Sequence, residues 1–137
     1  MTQIVDISAL HAGLLYLVVL IFIFIGLTLA VVRHRRGKLI GIGDGGDKTM
    51  ARWVRVHGNF SESATFGIPA IFGVVLAGAG SWAVHLVALL FIIGRLAHAQ
   101  GLSSSAGSST GRVAGMALTW ASLLSASIII VWRVLAG

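Results

Sequence analysis

The sequence predicts an all-α integral membrane protein, a bundle of four transmembrane helices that run alternately up and down. The 137-residue chain is 57% hydrophobic and only 10% charged, whereas soluble domains carry about 25% charged residues. Its apolar residues also fall into four stretches of span length, and the short connections between them favour antiparallel neighbours. The chain, residues 1–137, is therefore expected to form a single membrane-embedded domain.

Four segments reach the ~20 mostly apolar residues that a helical span needs. The first is uninterrupted, the second is polar over its first third, and a Ser- and Gly-rich connection separates the third from the fourth. A tight turn at 78–81 makes the second and third spans antiparallel neighbours. The predicted spans are about 9–32, 49–79, 81–100 and 112–135.

The basic residues predict the orientation of the bundle. Four of the ten Lys and Arg residues lie at 33–38, directly after the first span, and Arg112 follows the third connection. On the opposite side the main basic residue is Arg133. Because cytoplasmic loops carry an excess of Lys and Arg, the first and third connections are expected in the cytoplasm and both termini outside.

The composition also excludes several functions. The chain has no cysteine, so it has no disulfide and no thiolate nucleophile of its own. Its histidines lack metal-site spacing, so no metal is predicted. The positive charge flanks a span instead of forming a patch, which argues against nucleic acid. The string at 41–46 matches G-x-G-x-x-G, but it follows a membrane span, so a flexible turn is favoured over a nucleotide site.

Glu62 is the most informative residue, because it is the one acidic side chain that falls inside a predicted span. An ionised carboxylate in hydrocarbon costs on the order of 3 kcal/mol or more, and it persists only when another group pairs with it. Arg52, Arg55 and Asn59 precede it at helical spacing, so the four side chains share one helix face. Arg55 or Arg95 is the expected ionic partner.

Cations from all four spans converge at the same level of the bundle. Arg95 and His98 lie near the cytoplasmic end of the third span, Arg112 opens the fourth, and Arg33 ends the first. An anionic ligand would balance this positive excess. The alternative is a salt-bridge network that only fixes the bundle, and such a network leaves the surplus cations unexplained.

The strings that carry these residues resemble the MAPEG family, the membrane-associated proteins of eicosanoid and glutathione metabolism. The loop Gly43-Asp44-Gly45-Gly46 is similar to the bacterial branch of that family, which implies location in the bacterial inner membrane. The matching strings are Val32-Arg33-His34-Arg35-Arg36, Arg55-Val56-His57-Gly58-Asn59-Phe60-Ser61-Glu62 and Gly94-Arg95-Leu96-Ala97-His98.

The resemblance implies a homotrimer similar to the microsomal glutathione transferases, with glutathione bound between subunits near the cytoplasmic side. Arg33 would reach the ligand from the adjacent subunit, and Arg112 would lie near the thiol. The other implied glutathione-binding residues are Arg55, Asn59, Glu62, Arg95 and His98. Arginines suit the two carboxylates of glutathione, Glu62 suits its ammonium group, and a cation near the sulfur favours thiolate.

The leading functional hypothesis is a glutathione transferase-like membrane enzyme that conjugates or reduces lipophilic electrophiles from the bilayer with a bound thiol. The alternative is a non-catalytic trimer whose charge network is structural or binds lipid head groups. Leu102 and Met116 favour this alternative, because they stand where eukaryotic glutathione-using members carry tyrosines. The surplus cations favour the enzyme.

Overall fold

The structure, a computed structural model, describes residues 5–105 and 107–136, and it confirms the all-α prediction. Each of its four helices overlaps one predicted span. They are α1 (Ile7–Lys38), α2 (Lys48–Leu76), α3 (Ser81–Ser104) and α4 (Thr110–Ala136). The helix α1 continues beyond the predicted end of its span, and its last turn carries Arg35, Arg36 and Lys38. Cations at this position are favourable because the C-terminal end of a helix is partly negative.

Three of the helices, α1, α3 and α4, are long and apolar enough to cross a membrane. The chain is therefore an integral membrane protein. The helix α2 has 29 residues, a length of about 44 Å at 1.5 Å per residue, but its polar first half lowers its hydropathy. A crossing by α2, and hence the full four-span topology, stays a prediction.

The Gly-rich connection between α1 and α2 forms a turn, which fits the interpretation preferred from the sequence. Gly43, Gly45 and Gly46 adopt positive φ angles, a region that glycine enters without steric cost. Asp47 then begins α2 by accepting hydrogen bonds from the backbone N–H groups of Thr49 and Met50. The same carboxylate lies 3.3 Å from Lys38 Nζ, so one residue caps α2 and ties it to the end of α1.

Glycines bring α3 and α4 into close contact. A Cβ atom added to Gly115 would lie 2.5 Å from the backbone nitrogen of His98, and one added to Gly101 would lie 2.6 Å from that of Arg112. Such distances leave no room for a side chain. Gly115 thus sets the approach of the two helices, as small residues do at helix contacts in membranes.

The apolar surface is divided between a core and a broad outer face. Buried side chains around Phe91, Val74 and Val87 form the core between the helices. Large hydrophobic residues such as Leu15, Phe22 and Ile128 are exposed along α1 and α4. Exposed apolar surface of this extent marks contact with lipid or with another protein.

Candidate functional site

Arg95 is the centre of the polar cluster. It lies on α3, its residue is only 4% exposed, and it binds both neighbouring helices. Its Nη1 donates to Asn59 Oδ1 and Ser63 Oγ of α2, both at 2.8 Å. Its Nε donates to Thr119 Oγ1 of α4 at 2.9 Å, and its Nη2 donates to the Gly115 carbonyl at 3.3 Å.

All four acceptors around Arg95 are neutral. Among the described residues, no carboxylate lies within ion-pair distance of its guanidinium. Glu62 is thus not the ionic partner of Arg95, one of the two pairings that the sequence allowed. Neutral oxygens satisfy the donors of a guanidinium but leave its positive charge uncompensated, and a buried charge is costly unless it is paired.

Arg55 is the partner of Glu62, the other pairing that the sequence allowed. Arg55 Nη1 lies 3.1 Å from Glu62 Oε1, and both side chains are 61% exposed. Residues 55 and 62 are two turns apart on one face of α2, so the helix itself brings them together. With Gly58 and Asp44 they line a cavity of ≈ 420 Å³ that opens to the outside of the chain.

His98 lies about one helical turn after Arg95 on α3. The residue is buried, and its backbone lies against Gly115 of α4. The structure therefore brings six of the seven predicted site residues to one end of three helices, and the exception is Arg33. Their combined charge is strongly positive.

Arg112 lies in the first turn of α4 and is half-buried. Its Nη1 donates to the Gly107 carbonyl at 2.6 Å, and its backbone N–H lies 3.4 Å from Ser109 Oγ. The guanidinium is held by one loop carbonyl and by no carboxylate among the described residues. It can therefore exchange that carbonyl for an anion without leaving a buried charge behind.

Arg33 lies elsewhere, on the groove between α1 and α2. With His34 and Trp53 it lines a separate cavity of ≈ 610 Å³. Trp53 and Arg55 are two residues apart on α2, about 200° around the helix axis, so the two cavities open on opposite faces. Within one chain Arg33 does not join Arg55 and Glu62.

Two side chains of the Arg95 cluster were missed from the sequence, Ser63 and Thr119. Ser63 follows Asn59 by one helical turn and so lies on the face that meets Arg95. Thr119 follows Gly115 by one turn, and its hydroxyl also donates to the Gly115 carbonyl. The spacing of Asn59 and Ser63 was a usable signal, whereas the role of Thr119 depends on how α4 packs on α3.

The fold and the cluster define an all-α integral membrane protein whose helices surround a positively charged site at one end of the bundle. The sequence profile described as the MAPEG family matches residues 13–132, most of the chain. The chain belongs to the MAPEG family, as its polar strings predicted.

Two relatives are the inner membrane proteins YecN of Escherichia coli K12 and of Escherichia coli O6:H1. Each is 32% identical to this chain over 126 residues, which cover 92% of the chain and 91% of the relative. Both are described as inner membrane proteins, and neither description names an activity. The predicted location, the inner membrane, is confirmed by these relatives and by the apolar helices.

Proposed function

We propose that this protein is a glutathione transferase-like membrane enzyme. Its site would bind glutathione, or a closely related anionic thiol, as co-substrate. The thiol gives its proton to water, and the thiolate attacks an electrophilic carbon of a lipophilic substrate that arrives from the bilayer. A carbon–sulfur bond forms, and the leaving group departs with the electron pair of the bond that breaks. With a hydroperoxide and a second thiol, the products are an alcohol, water and a disulfide.

The charge of the site is the observation that carries this proposal. Three guanidiniums, those of Arg55, Arg95 and Arg112, lie at this end of the bundle. The carboxylates of this cavity are Glu62, which pairs with Arg55, and Asp44, which lies in the connecting turn. Glutathione carries two carboxylates and one ammonium group, so its net negative charge offsets the excess. Some members of the MAPEG family bind glutathione, which gives this ligand priority over other anionic thiols.

The exposed ion pair fits one end of that ligand. A free amino-acid group offers a carboxylate and an ammonium about as far apart as a guanidinium and a carboxylate in an ion pair. Arg55 would take the carboxylate by charge-assisted hydrogen bonds, and Glu62 would take the ammonium. Asn59 and Arg95 lie directly behind them, and their hydrogen bond would hold α2 and α3 in position.

Arg112 would act on the sulfur. A guanidinium stays protonated at any working pH, so it stabilises a thiolate without transferring a proton itself. The first turn of a helix adds a partly positive field that also favours an anion. Within residues 5–105 and 107–136, the one acceptor bonded to this guanidinium is the Gly107 carbonyl, so a thiolate would displace a neutral partner.

The position of Arg33 supports an oligomer. Its cavity and that of Glu62 open on opposite faces of the α1–α2 pair, so Arg33 faces away from the ligand of its own chain and would reach the ligand of a second copy. We infer a homotrimer in which each site lies between neighbours, as the family resemblance implies. Mass measurement in detergent, corrected for bound detergent, tests it, and a monomer or a dimer as the sole species contradicts it.

The enzyme is tested by calorimetric titration of glutathione into the purified protein, with ultraviolet absorbance of the bound thiolate. We expect wild type to bind and to form thiolate. Arg112→Ala should retain much of the binding and lose the thiolate signal. Arg36→Ala removes an exposed cation at the same end of the bundle and should behave as wild type. Equal thiolate signals in wild type and Arg112→Ala would remove Arg112 from the mechanism.

The second candidate is the non-catalytic trimer whose charge network is structural or binds lipid head groups. It is favoured by Arg95, whose donors already have neutral partners within the chain. The buried Leu102 also stands where a pocket tyrosine would be expected. Wild-type protein that neither binds glutathione nor forms thiolate at saturating concentration would select this candidate.

A further inference from the structure

Two cavities meet at the opposite end of the bundle, beside the turn between α2 and α3. The first, a cup of ≈ 320 Å³, is lined by Arg133, Gly80 and Trp82 among others. The second is an apolar groove of ≈ 370 Å³ along α4, past Val131. Trp132 and Ile128 line both cavities. The two therefore form one continuous surface around the end of α4, with Arg133 on one side of Trp132 and the apolar side chains of Val131 and Leu135 on the other.

Arg133 is held in a fixed position in the cup. Its Nη2 donates to the Gly78 carbonyl at 2.6 Å and its Nε to the Ala77 carbonyl at 3.2 Å, so it satisfies acceptors at the end of α2. The half-buried guanidinium is thus oriented by the backbone, and these two bonds leave its Nη1 for another acceptor. Among the described residues, no carboxylate forms an ion pair with it.

Two indoles stand beside the cup. Trp82 is 67% exposed and Trp132 is 70% exposed, so both rings lie on the outer surface of the bundle and not in its core. Trp is enriched where the bilayer meets water, because its ring is apolar and its N–H can donate a hydrogen bond. This end of the bundle is therefore expected at the interface, with Ile128 and Val131 deeper in the hydrocarbon.

We propose that the cup and groove together bind one phospholipid molecule of the adjoining leaflet. Its phosphate accepts a charge-assisted hydrogen bond from Arg133 Nη1, an acceptor type that guanidinium favours. One acyl chain follows the groove along Ile128 and Val131. A bound lipid would fasten the α2–α3 turn to α4, because Arg133 already joins these elements.

This site is separate from the proposed catalytic site. Arg112 and Arg133 stand 21 positions apart in the sequence on one helix, about 32 Å along its axis. A substrate in the groove would not meet a thiolate near Arg112. The lipid proposal thus stands whether or not the protein uses glutathione.

Native mass spectrometry of the full-length protein in detergent tests the ligand class. The probes are dioleoyl phosphatidylglycerol, dioleoylglycerol, which lacks the phosphate, and inorganic phosphate, which lacks the chains. We expect one phosphatidylglycerol per chain to stay bound and neither other probe to bind comparably. Equal retention of dioleoylglycerol would show an apolar groove only, and equal binding of inorganic phosphate would show an anion site only. Either result overturns the proposal.

Two matched variants test the location. Trp132→Ala removes the shared wall without touching the hydrogen bonds of Arg133, and we expect phosphatidylglycerol affinity to fall about tenfold. Trp120→Ala removes an exposed indole of α4 that lines neither cavity and should leave affinity unchanged. An equal loss in both variants, or in neither, would refute this site. Melting of each variant without added lipid separates loss of binding from loss of fold.

Discussion

Arg95 Nη1 donates a 2.8 Å hydrogen bond to Asn59 Oδ1 and thereby joins α3 to α2 at the level of the candidate site. Both residues belong to strings that the family resemblance assigns to glutathione. They bind each other directly, so they can support a pocket as well as line it. This dual role separates variants that alter stability from those that alter binding.

Asn59→Leu should lower the melting temperature. The substitution removes one of the two acceptors of Arg95 Nη1 and leaves Ser63 Oγ as the other. One N–H of a buried guanidinium then lacks its acceptor, at a cost of roughly 1–3 kcal/mol. Asn59→Asp keeps an acceptor oxygen and adds a charge beside an uncompensated cation, so it should stay close to wild type. The measurement is thermal unfolding in detergent, monitored by tryptophan fluorescence.

The control for Asn59 is Thr65→Ala, an exposed residue of α2 whose hydroxyl bonds only to the preceding turn of its own helix. It should melt as wild type does. If Asn59→Leu had the same melting temperature as Thr65→Ala, the hydrogen bond to Arg95 would add nothing to stability.

Glu62→Gln should lower affinity for glutathione more than it lowers stability. The Arg55–Glu62 pair is exposed, and exposed ion pairs contribute about 0–1 kcal/mol to folding. Loss of a charge-assisted bond to a ligand ammonium costs about 1.5–3 kcal/mol, or about 10- to 100-fold in affinity. Calorimetry and thermal melting of the same preparation give both quantities.

Asp44→Asn is the matched control, because Asp44 lines the same cavity but lies in the connecting turn. It should change affinity little. A large loss of melting temperature in Glu62→Gln with unchanged affinity would instead support a structural carboxylate.

Gly115→Val should destabilise the chain by about 1–3 kcal/mol through overpacking. Its added atoms would collide with the backbone at His98 and force α4 away from α3. Gly37→Ala places a methyl group in open space on α1 and should leave the melting temperature unchanged or slightly higher. Equal melting of the two variants would contradict the close approach of α3 and α4.

Acid should weaken the attachment of α2 to α1 through Asp47. The backbone N–H of Met50, followed by Lys38, holds the pKa of this carboxyl below its usual 3.8. A depressed folded-state pKa contributes stability above the unfolded-state value, and this contribution is lost as the pH falls through the folded-state pKa. We therefore expect stability to decline as the pH drops below about 3.8.

The variant for this test is Asp47→Asn, which keeps a capping oxygen but cannot titrate. As the pH falls from neutral to below about 3.8, the melting temperature of this variant should fall less than that of wild type. Lys38→Gln removes the second cause of the pKa shift and should reduce the dependence partly. Identical profiles for all three proteins would assign the acid sensitivity to other groups.

Both termini are expected outside the cytoplasm, with the turn at Gly45 inside. The reason is the cluster of basic residues at 33–38, which cytoplasmic loops favour. Reporter fusions at the two termini and at Gly45 measure the side directly. Cytoplasmic reporter activity at either terminus would overturn this topology.

Local patterns explain what the sequence predicted correctly. Hydropathy located the four helices, because each contains an apolar run long enough to be recognised as a candidate span. Helical periodicity placed Arg55 and Glu62 on one face of one helix, and the structure joins them. The strings of polar residues identified the family, and the profile match confirms it.

Contacts between helices required the tertiary structure. Arg95 binds Thr119, 24 residues away, and Arg133 binds the Gly78 carbonyl, 55 residues away. Such partners depend on how far each helix is rotated and how closely it approaches its neighbour. Gly115 sets part of that approach, and its effect appears only once α3 and α4 are packed.

The sequence by itself determined that this protein lies in a membrane, that it is built from helices, and that cations outnumber carboxylates at one end of the bundle. The tertiary structure decided which cations are buried, which are exposed and which face away from the others, as Arg33 does. Hydropathy and helical periodicity depend on consecutive residues of one segment, so the sequence alone reveals them. The partner of a buried guanidinium is set by packing between segments, where close approach and hydrogen bonding are optimised together.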